Sequence, residues 1–307
     1  MDEIQAHPGI VKAVKYLYDH YDVKFFLTGS SSYYLKNLFP ESLAGRKVTL
    51  ELHPLDFGEF LTFKKAERVL PSLFREKDRK KNKIAYEKNK KQYQEYLEYG
   101  GFPEVALAPG VAQKKEKLND IFKSYFEKDV RTLTEIRHLS VFRDLLFLLL
   151  VRVGSRLDIS KLASELGTSR QTVYDYLTFL QATYVITLIP PFTKSVDREV
   201  SGAKKVYVCD NGFLTQFARV SEGALLENAV FLNLRKEGAL YYYQKRLGGE
   251  IDFIIPSRKT ALEVKQRGTD QDYRMLKKRA RSLGLREAYV VTQNFVNKKG
   301  FISATDL

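Results

Sequence analysis

Three side chains near the C-terminal end have types and spacing suited to chemistry: Asp252, and then Glu263 and Lys265 within Glu263-Val264-Lys265. They lie in two apolar runs, Gly248-Gly249-Glu250-Ile251-Asp252-Phe253-Ile254-Ile255 and Thr260-Ala261-Leu262-Glu263-Val264-Lys265-Gln266, separated by Pro256-Ser257-Arg258-Lys259. β-Branched and aromatic flanks about a turn carrying Pro and Ser predict a hairpin. Side chains alternate faces along a strand. Glu263 and Lys265 therefore share one face, with Leu262 and Val264 on the other, while Asp252 and Ile254 oppose Ile251, Phe253 and Ile255. Pairing through the turn brings Asp252 to Glu263 and Lys265 at one end of the hairpin. Buried charges are costly unless they are paired or hold a metal. Two carboxylates as hard oxygen ligands suit Mg²⁺ or Mn²⁺.

The flanking sequence supplies elements to position this hairpin. Gly223 to Leu234 predicts a helix, Leu240 to Gln244 a strand, Asp270 to Leu283 a basic helix and Glu287 to Thr292 a further strand. Asp252 with Glu263-Val264-Lys265, set in the order helix, three strands, helix, strand, resembles the PD-(D/E)xK nuclease superfamily. Ile251 stands where that signature normally has Pro, a mild departure. The resemblance implies that Asp252 and Glu263 ligate one or two divalent metals together with the Val264 carbonyl. It implies that Lys265 orients or activates the attacking water and stabilises charge on a scissile phosphate. Glu227, on the first helix, would add a further acid, Gln266 would assist, and the product would be cleaved DNA. Arg267, Arg274, Lys277, Lys278 and Arg281 would then bind phosphate backbone. The alternative is a retained nuclease fold that binds DNA or protein without turnover.

Composition limits the remaining choices. The chain has 307 residues, enough for two or three domains, and 44% hydrophobic residues, as in ordinary globular protein. Lys and Arg number 51 against 37 Asp and Glu, a net charge of +14 that suits a polyanion such as nucleic acid, or simply well-solvated basic faces. The single cysteine, Cys209, allows no internal disulfide, accords with a reducing cytoplasm and sits in an apolar run that suits a core residue. The longest purely apolar run, Leu145 to Val151, is too short to span a bilayer, and Met1-Asp2-Glu3 does not open a signal peptide.

Towards the N-terminus, Asp2-Glu3-Ile4-Gln5 precedes an amphipathic helix through Tyr18 and an expected strand, Val23 to Leu27, ending in Thr28-Gly29-Ser30-Ser31. Pro54-Leu55, Glu59-Phe60 and Gly100-Gly101-Phe102-Pro103 follow. In this order the motifs resemble the second half of a prokaryotic AAA-type ATPase module with its helical lid. Asp2 and Glu3 would be Walker B acids and Ser30 would end the sensor strand. In the lid, the glycine pair permits a sharp turn and Pro103 stops the helix. No G-x-x-x-x-G-K-[ST] loop occurs in the sequence, so ATP is expected as a cofactor only for a complete module. A half-module would expose sheet edges to another polypeptide or to a second copy of itself. The lysine-rich run from Arg75 to Lys91 suits a solvated face or phosphate contact.

Between these ends, Phe142 to Val153 predicts a buried helix. Asp158 caps a helix over Ile159 to Leu166, Gly167 makes the turn, and Thr168 or Ser169 caps another over Arg170 to Gln181. This is a helix-turn-helix pattern, and the strand Tyr184 to Ile189 after it suits a winged helix. Arg170, Gln171, Tyr174 and Thr178 would face a DNA groove, or the unit serves only packing and protein contact. Asp210 is expected as a turn or cap residue. The expected fold class is thus a multidomain α/β protein. Its parts are a partial P-loop ATPase core at 1–61, a helical lid at 62–137, a winged helix at 138–195 and a restriction-endonuclease-like α/β domain at 196–307.

Overall fold

A computed structural model describes residues 9–29, 48, 50–66, 71–130, 138–193, 195–245 and 248–307. Asp2, Glu3 and Ser30 lie outside the described residues. In chain order the helices and strands begin with α1 (Ile10–Tyr21), α2 (Phe57–Phe63), α3 (Phe74–Arg79), α4 (Lys83–Tyr99), α5 (Pro103–Leu107) and α6 (Val111–Ser124). There follow α7 (Leu139–Val151), α8 (Ile159–Glu165), α9 (Arg170–Ala182), β1 (Ile186–Ile189), α10 (Val196–Ser201), β2 (Lys205–Val208) and α11 (Asn211–Phe217). The rest comprises α12 (Glu222–Leu234), β3 (Tyr241–Gln244), β4 (Glu250–Ile255), β5 (Thr260–Lys265), α13 (Asp270–Ser282), β6 (Glu287–Thr292) and β7 (Phe301–Ser303).

The strand expected over Val23 to Leu27 is irregular backbone. A strand exists only where a neighbouring strand takes its amide hydrogen bonds, and none of the described strands lies alongside this stretch. Pro103 also acts differently from expectation. Gly100 ends α4, and Pro103 opens α5, where its missing N–H costs nothing. Gly100 and Gly101 are required at this turn. Gly100 has φ +76°, and a Cβ on Gly101 would stand 2.2 Å from the Leu55 carbonyl oxygen. Asp210 binds the turn from across the core. It caps α11 by accepting the Gly212 N–H at 2.7 Å, and also accepts the Gly101 N–H at 2.6 Å.

The middle helices follow their capping signals. Asp158 accepts the Lys161 N–H at 3.0 Å and Ser169 accepts that of Thr172 at 3.0 Å. β1 and β2 form a separate antiparallel pair, with Ile186 opposite Val208 and Ile189 opposite Lys205. β2 therefore joins the helical unit and not the C-terminal sheet.

That sheet has the order β3-β4-β5-β6-β7. β3, β4 and β5 are antiparallel neighbours, and β5, β6 and β7 run parallel, with α13 crossing over from β5 to β6. Helices cover both faces, so β4 and β5 are buried almost throughout. Phe253, Ile255, Leu262 and Val264 join the main core with α12, while Ile254 and Ala261 pack with Leu276 and Ala280 of α13. At the β3 edge, Tyr242 bonds to Pro190 and Phe192 through its backbone. At the other, Lys77 of α3 donates to the carbonyls of Asp306 and Leu307 at 2.7 and 2.8 Å. Covered edges do not recruit stray strands.

Helix α12 is apolar all round and hence central. Its few polar groups are fully used. Asn228 accepts from the Val208 N–H at 2.9 Å and donates to the Val208 carbonyl at 3.1 Å. Asn233 accepts the N–H of Phe57, at the start of α2, at 3.0 Å.

Candidate functional site

The hairpin forms as its sequence suggests, with Phe253 opposite Leu262 and Ile255 opposite Thr260. The turn is a short 3-10 segment, Pro256–Arg258, closed by Lys259 at φ 50°. One expected alternation fails. Against β3, Tyr241 pairs with Ile254 and Tyr243 with Ile251, so β4 spends one residue more than β3 over this interval. Such a bulge bends its strand and re-aims the side chains on it. Ile251 consequently packs with Ile254 and α13, not with Phe253. Asp252 turns towards β2, and its Oδ2 accepts the Val264 N–H at 2.7 Å.

The centre of the site is a residue the sequence reading missed. Lys205, which opens β2, extends its ammonium into the acidic end of the hairpin and is only 3% exposed. Its Nζ lies 2.6 Å from Glu250 Oε1, 3.2 Å from Glu227 Oε1 and 3.6 Å from Asp252 Oδ1. The Tyr207 hydroxyl donates to the same Glu227 oxygen at 2.6 Å. Glu263 is served by other cations: Oε1 lies 3.1 Å from Lys265 Nζ and Oε2 lies 3.3 Å from Arg279 Nη1. Arg279 also donates to the Glu250 carbonyl at 3.0 Å, tying the two groups together. Gln266 is turned aside, donating to Glu222 at 2.9 Å.

Burial raises the pKa of Asp252, opposed by Lys205 and the Val264 amide. Burial and then the Asp252 charge raise Glu227, while Lys205 and Tyr207 pull it back. Desolvation acts against the Lys205 ammonium, but Glu227, Asp252 and Glu250 together outweigh it and raise its pKa. The surrounding carboxylates thus favour the charged form of Lys205 and share its charge.

This arrangement does not fit a divalent metal. Asp252 spends one oxygen on a backbone amide and turns the other to an ammonium, and both Glu263 oxygens face protein cations. Among the described residues no group of three or more acids, histidines or cysteines is arranged to hold an ion. Lys205 did leave a trace in the sequence, as a charge opening the otherwise apolar strand Lys205-Val206-Tyr207-Val208. Arg279 left one too, lying between Leu276 and Ala280 on the sheet-facing side of α13.

The expected nucleic-acid residues occupy two surfaces. Arg274, Lys277, Lys278 and Arg281 are exposed on α13, and Arg267 is exposed just after β5. Helical spacing groups the four on α13 into one stripe. Arg170, Gln171 and Tyr174 are exposed on α9. Gln171 donates to Asp175 at 2.9 Å. Arg170 and Tyr174 line an open cleft of about 550 Å³ with Arg156, Thr178 and Lys204.

Comparison with known proteins agrees with part of this reading. Residues 1–61 match a family described as an AAA domain, residues 90–223 a domain of unknown function, DUF8612, and residues 222–300 another, DUF4143. An uncharacterized protein of Methanocaldococcus jannaschii is 34% identical over 267 residues, covering 83% of this chain and 57% of its own length. An uncharacterized protein of Haemophilus influenzae is 29% identical over 269 residues, covering 83% of this chain and 61% of its own. The chain thus spans little more than half the length of these curated relatives. No solved structure matches it. The chain resembles an AAA-like family with archaeal and bacterial relatives, and none of its described helices is long and apolar enough to cross a membrane.

Proposed function

We propose that this chain is the nucleic-acid-engaging part of an AAA-type ATPase, with a winged helix and a nuclease-like C-terminal domain that binds DNA without cleaving it. One contrast carries the reading. The carboxylates at the hairpin end, Glu227, Glu250, Asp252 and Glu263, are already matched to protein cations, whereas Lys277, Lys278 and Arg281 of α13 make no ion pair among the described residues. An exposed, unmatched basic stripe suits phosphate backbone, whose neutralisation releases counterions. The α9 face with Arg170, Gln171 and Tyr174 supplies a second contact surface. ATP turnover belongs to a complete AAA module with a phosphate-binding loop, which residues 1–307 do not contain. A cytoplasmic location accords with this role and with the free Cys209.

The competing reading is Mg²⁺- or Mn²⁺-dependent cleavage by Asp252, Glu263 and Lys265, with Glu227 in support. The convergence of Asp252, Val264 and Glu263 at the hairpin end favours it. Two assays separate the readings. In fluorescence anisotropy, duplex DNA should bind at low salt and dissociate steeply as salt rises. Arg274→Glu, Lys277→Glu and Lys278→Glu combined should weaken binding about tenfold or more and lower the salt slope by about 0.9 per lost phosphate contact. Binding indifferent to salt would sink the proposal. So would plasmid nicking with Mg²⁺ or Mn²⁺ that disappears in both Asp252→Ala and Lys265→Ala.

A further inference from the structure

We infer that Lys205 is a built-in counter-cation, which occupies the place a divalent ion would need among Glu227, Glu250 and Asp252 and keeps this centre metal-free. The inference deepens the non-cleaving reading of the C-terminal domain and rests on it. An ammonium has three protons to donate and no acceptor, and here it faces three carboxylates from two elements, α12 and β4. The ammonium is held from several sides. The Lys205 backbone pairs with Ile189 of β1 and bridges to Arg156, and Nζ stands 5.7 Å from the centre of the Tyr242 ring. Gly154 leaves space for the Glu227 carboxylate, since a Cβ there would stand 3.2 Å from Oε1. Tyr207 fixes the same oxygen from another side.

The cation and the acids have different origins. Lys205 comes from the two-stranded β1–β2 unit, and the acids belong to the C-terminal sheet and its covering helix. An entering metal ion would meet a positive charge that the backbone holds in place. Without that charge, buried Asp252, part-buried Glu227 and the more exposed Glu250 would lack their shared counter-ion, and a divalent cation is the species that would satisfy them.

The test uses the full chain and Mn²⁺ alone, followed by electron paramagnetic resonance and calorimetry. The wild-type chain should leave the free-ion Mn²⁺ signal intact. Lys205→Met, which keeps the aliphatic stem, should take up about one Mn²⁺ per chain, with affinity raised roughly a hundredfold as like-charge repulsion is removed. Adding Asp252→Asn to Lys205→Met should abolish the uptake. If Lys205→Met is unstable without metal, its thermal transition should rise on adding Mn²⁺ while that of the wild type stays put. Wild-type uptake of Mn²⁺ that Asp252→Asn removes would overturn the inference. A Lys205→Met chain that neither takes up Mn²⁺ nor is stabilised by it would do so as well. DNA anisotropy on the same wild-type sample is scored separately, so failure of the counter-cation and failure of DNA binding are told apart.

Discussion

Asp210 offers a prediction whose size and sign both follow from its surroundings. The side chain is fully buried and accepts the Gly101 and Gly212 amides. Burial outweighs those hydrogen bonds and pushes its pKa up to about 7. In the unfolded chain an aspartate titrates near 3.9. Between about pH 4 and 7 the folded state therefore binds more protons than the unfolded state, and stability falls as pH rises through that window. A displacement of about three units is worth on the order of 4 kcal/mol, fully lost above pH 7. Asp210→Asn removes the titration and keeps the shape, so it should flatten the pH dependence. It should also weaken the Gly101 contact, because the amide nitrogen cannot accept. Urea unfolding at pH 5 and pH 8 measures both effects. The wild-type midpoint should drop between the two conditions, and the Asp210→Asn midpoint should drop much less. Asp252 and Glu227 are raised as well and leave a residual slope of the same sign. Equal slopes in the two proteins would refute the assignment of the titration to Asp210.

Other perturbations follow from single contacts. Gly101→Ala would drive a Cβ into the Leu55 carbonyl, and a loss of about 2 kcal/mol or more is expected in a thermal melt. Asn233→Leu would leave the buried Phe57 N–H without its acceptor, costing about 1–3 kcal/mol in denaturant unfolding. Tyr207→Phe deletes the hydroxyl that donates to Glu227, for a loss of about 1 kcal/mol, and should raise the carboxyl pKa further, read by infrared titration of the carboxylate band.

Local signals in the sequence specified much of this architecture. Ser169 and Gly167 marked the boundaries of α9 and the turn before it, and the apolar runs about Pro256 marked the hairpin. The order helix, three strands, helix, strand is present, and Glu263 and Lys265 share a face as the two-residue period requires. What escaped was non-local. The bulge at Asp252 depends on how β4 registers with β3, which no window of residues encodes. Lys205 approaches Asp252 because β2 pairs with β1 instead of extending the C-terminal sheet, so the charge that opens β2 becomes the centre of the site. The expected strand at Val23 failed for the same kind of reason, since none of the described strands lies alongside it.

Helix α12 has a consequence for how this protein can be divided. Two of the family matches meet at residues 222–223, at the first turn of that helix. Yet Asn228 completes the backbone of β2 upstream, Asn233 holds the start of α2, and the apolar surface of α12 roofs the sheet downstream. A cut at the apparent seam would give two fragments that both need the same helix. Recombination that exchanged either half for a foreign one would have to carry α12 along and rebuild its asparagine partners. The segments can be told apart in sequence, but α12 makes them pack as one piece.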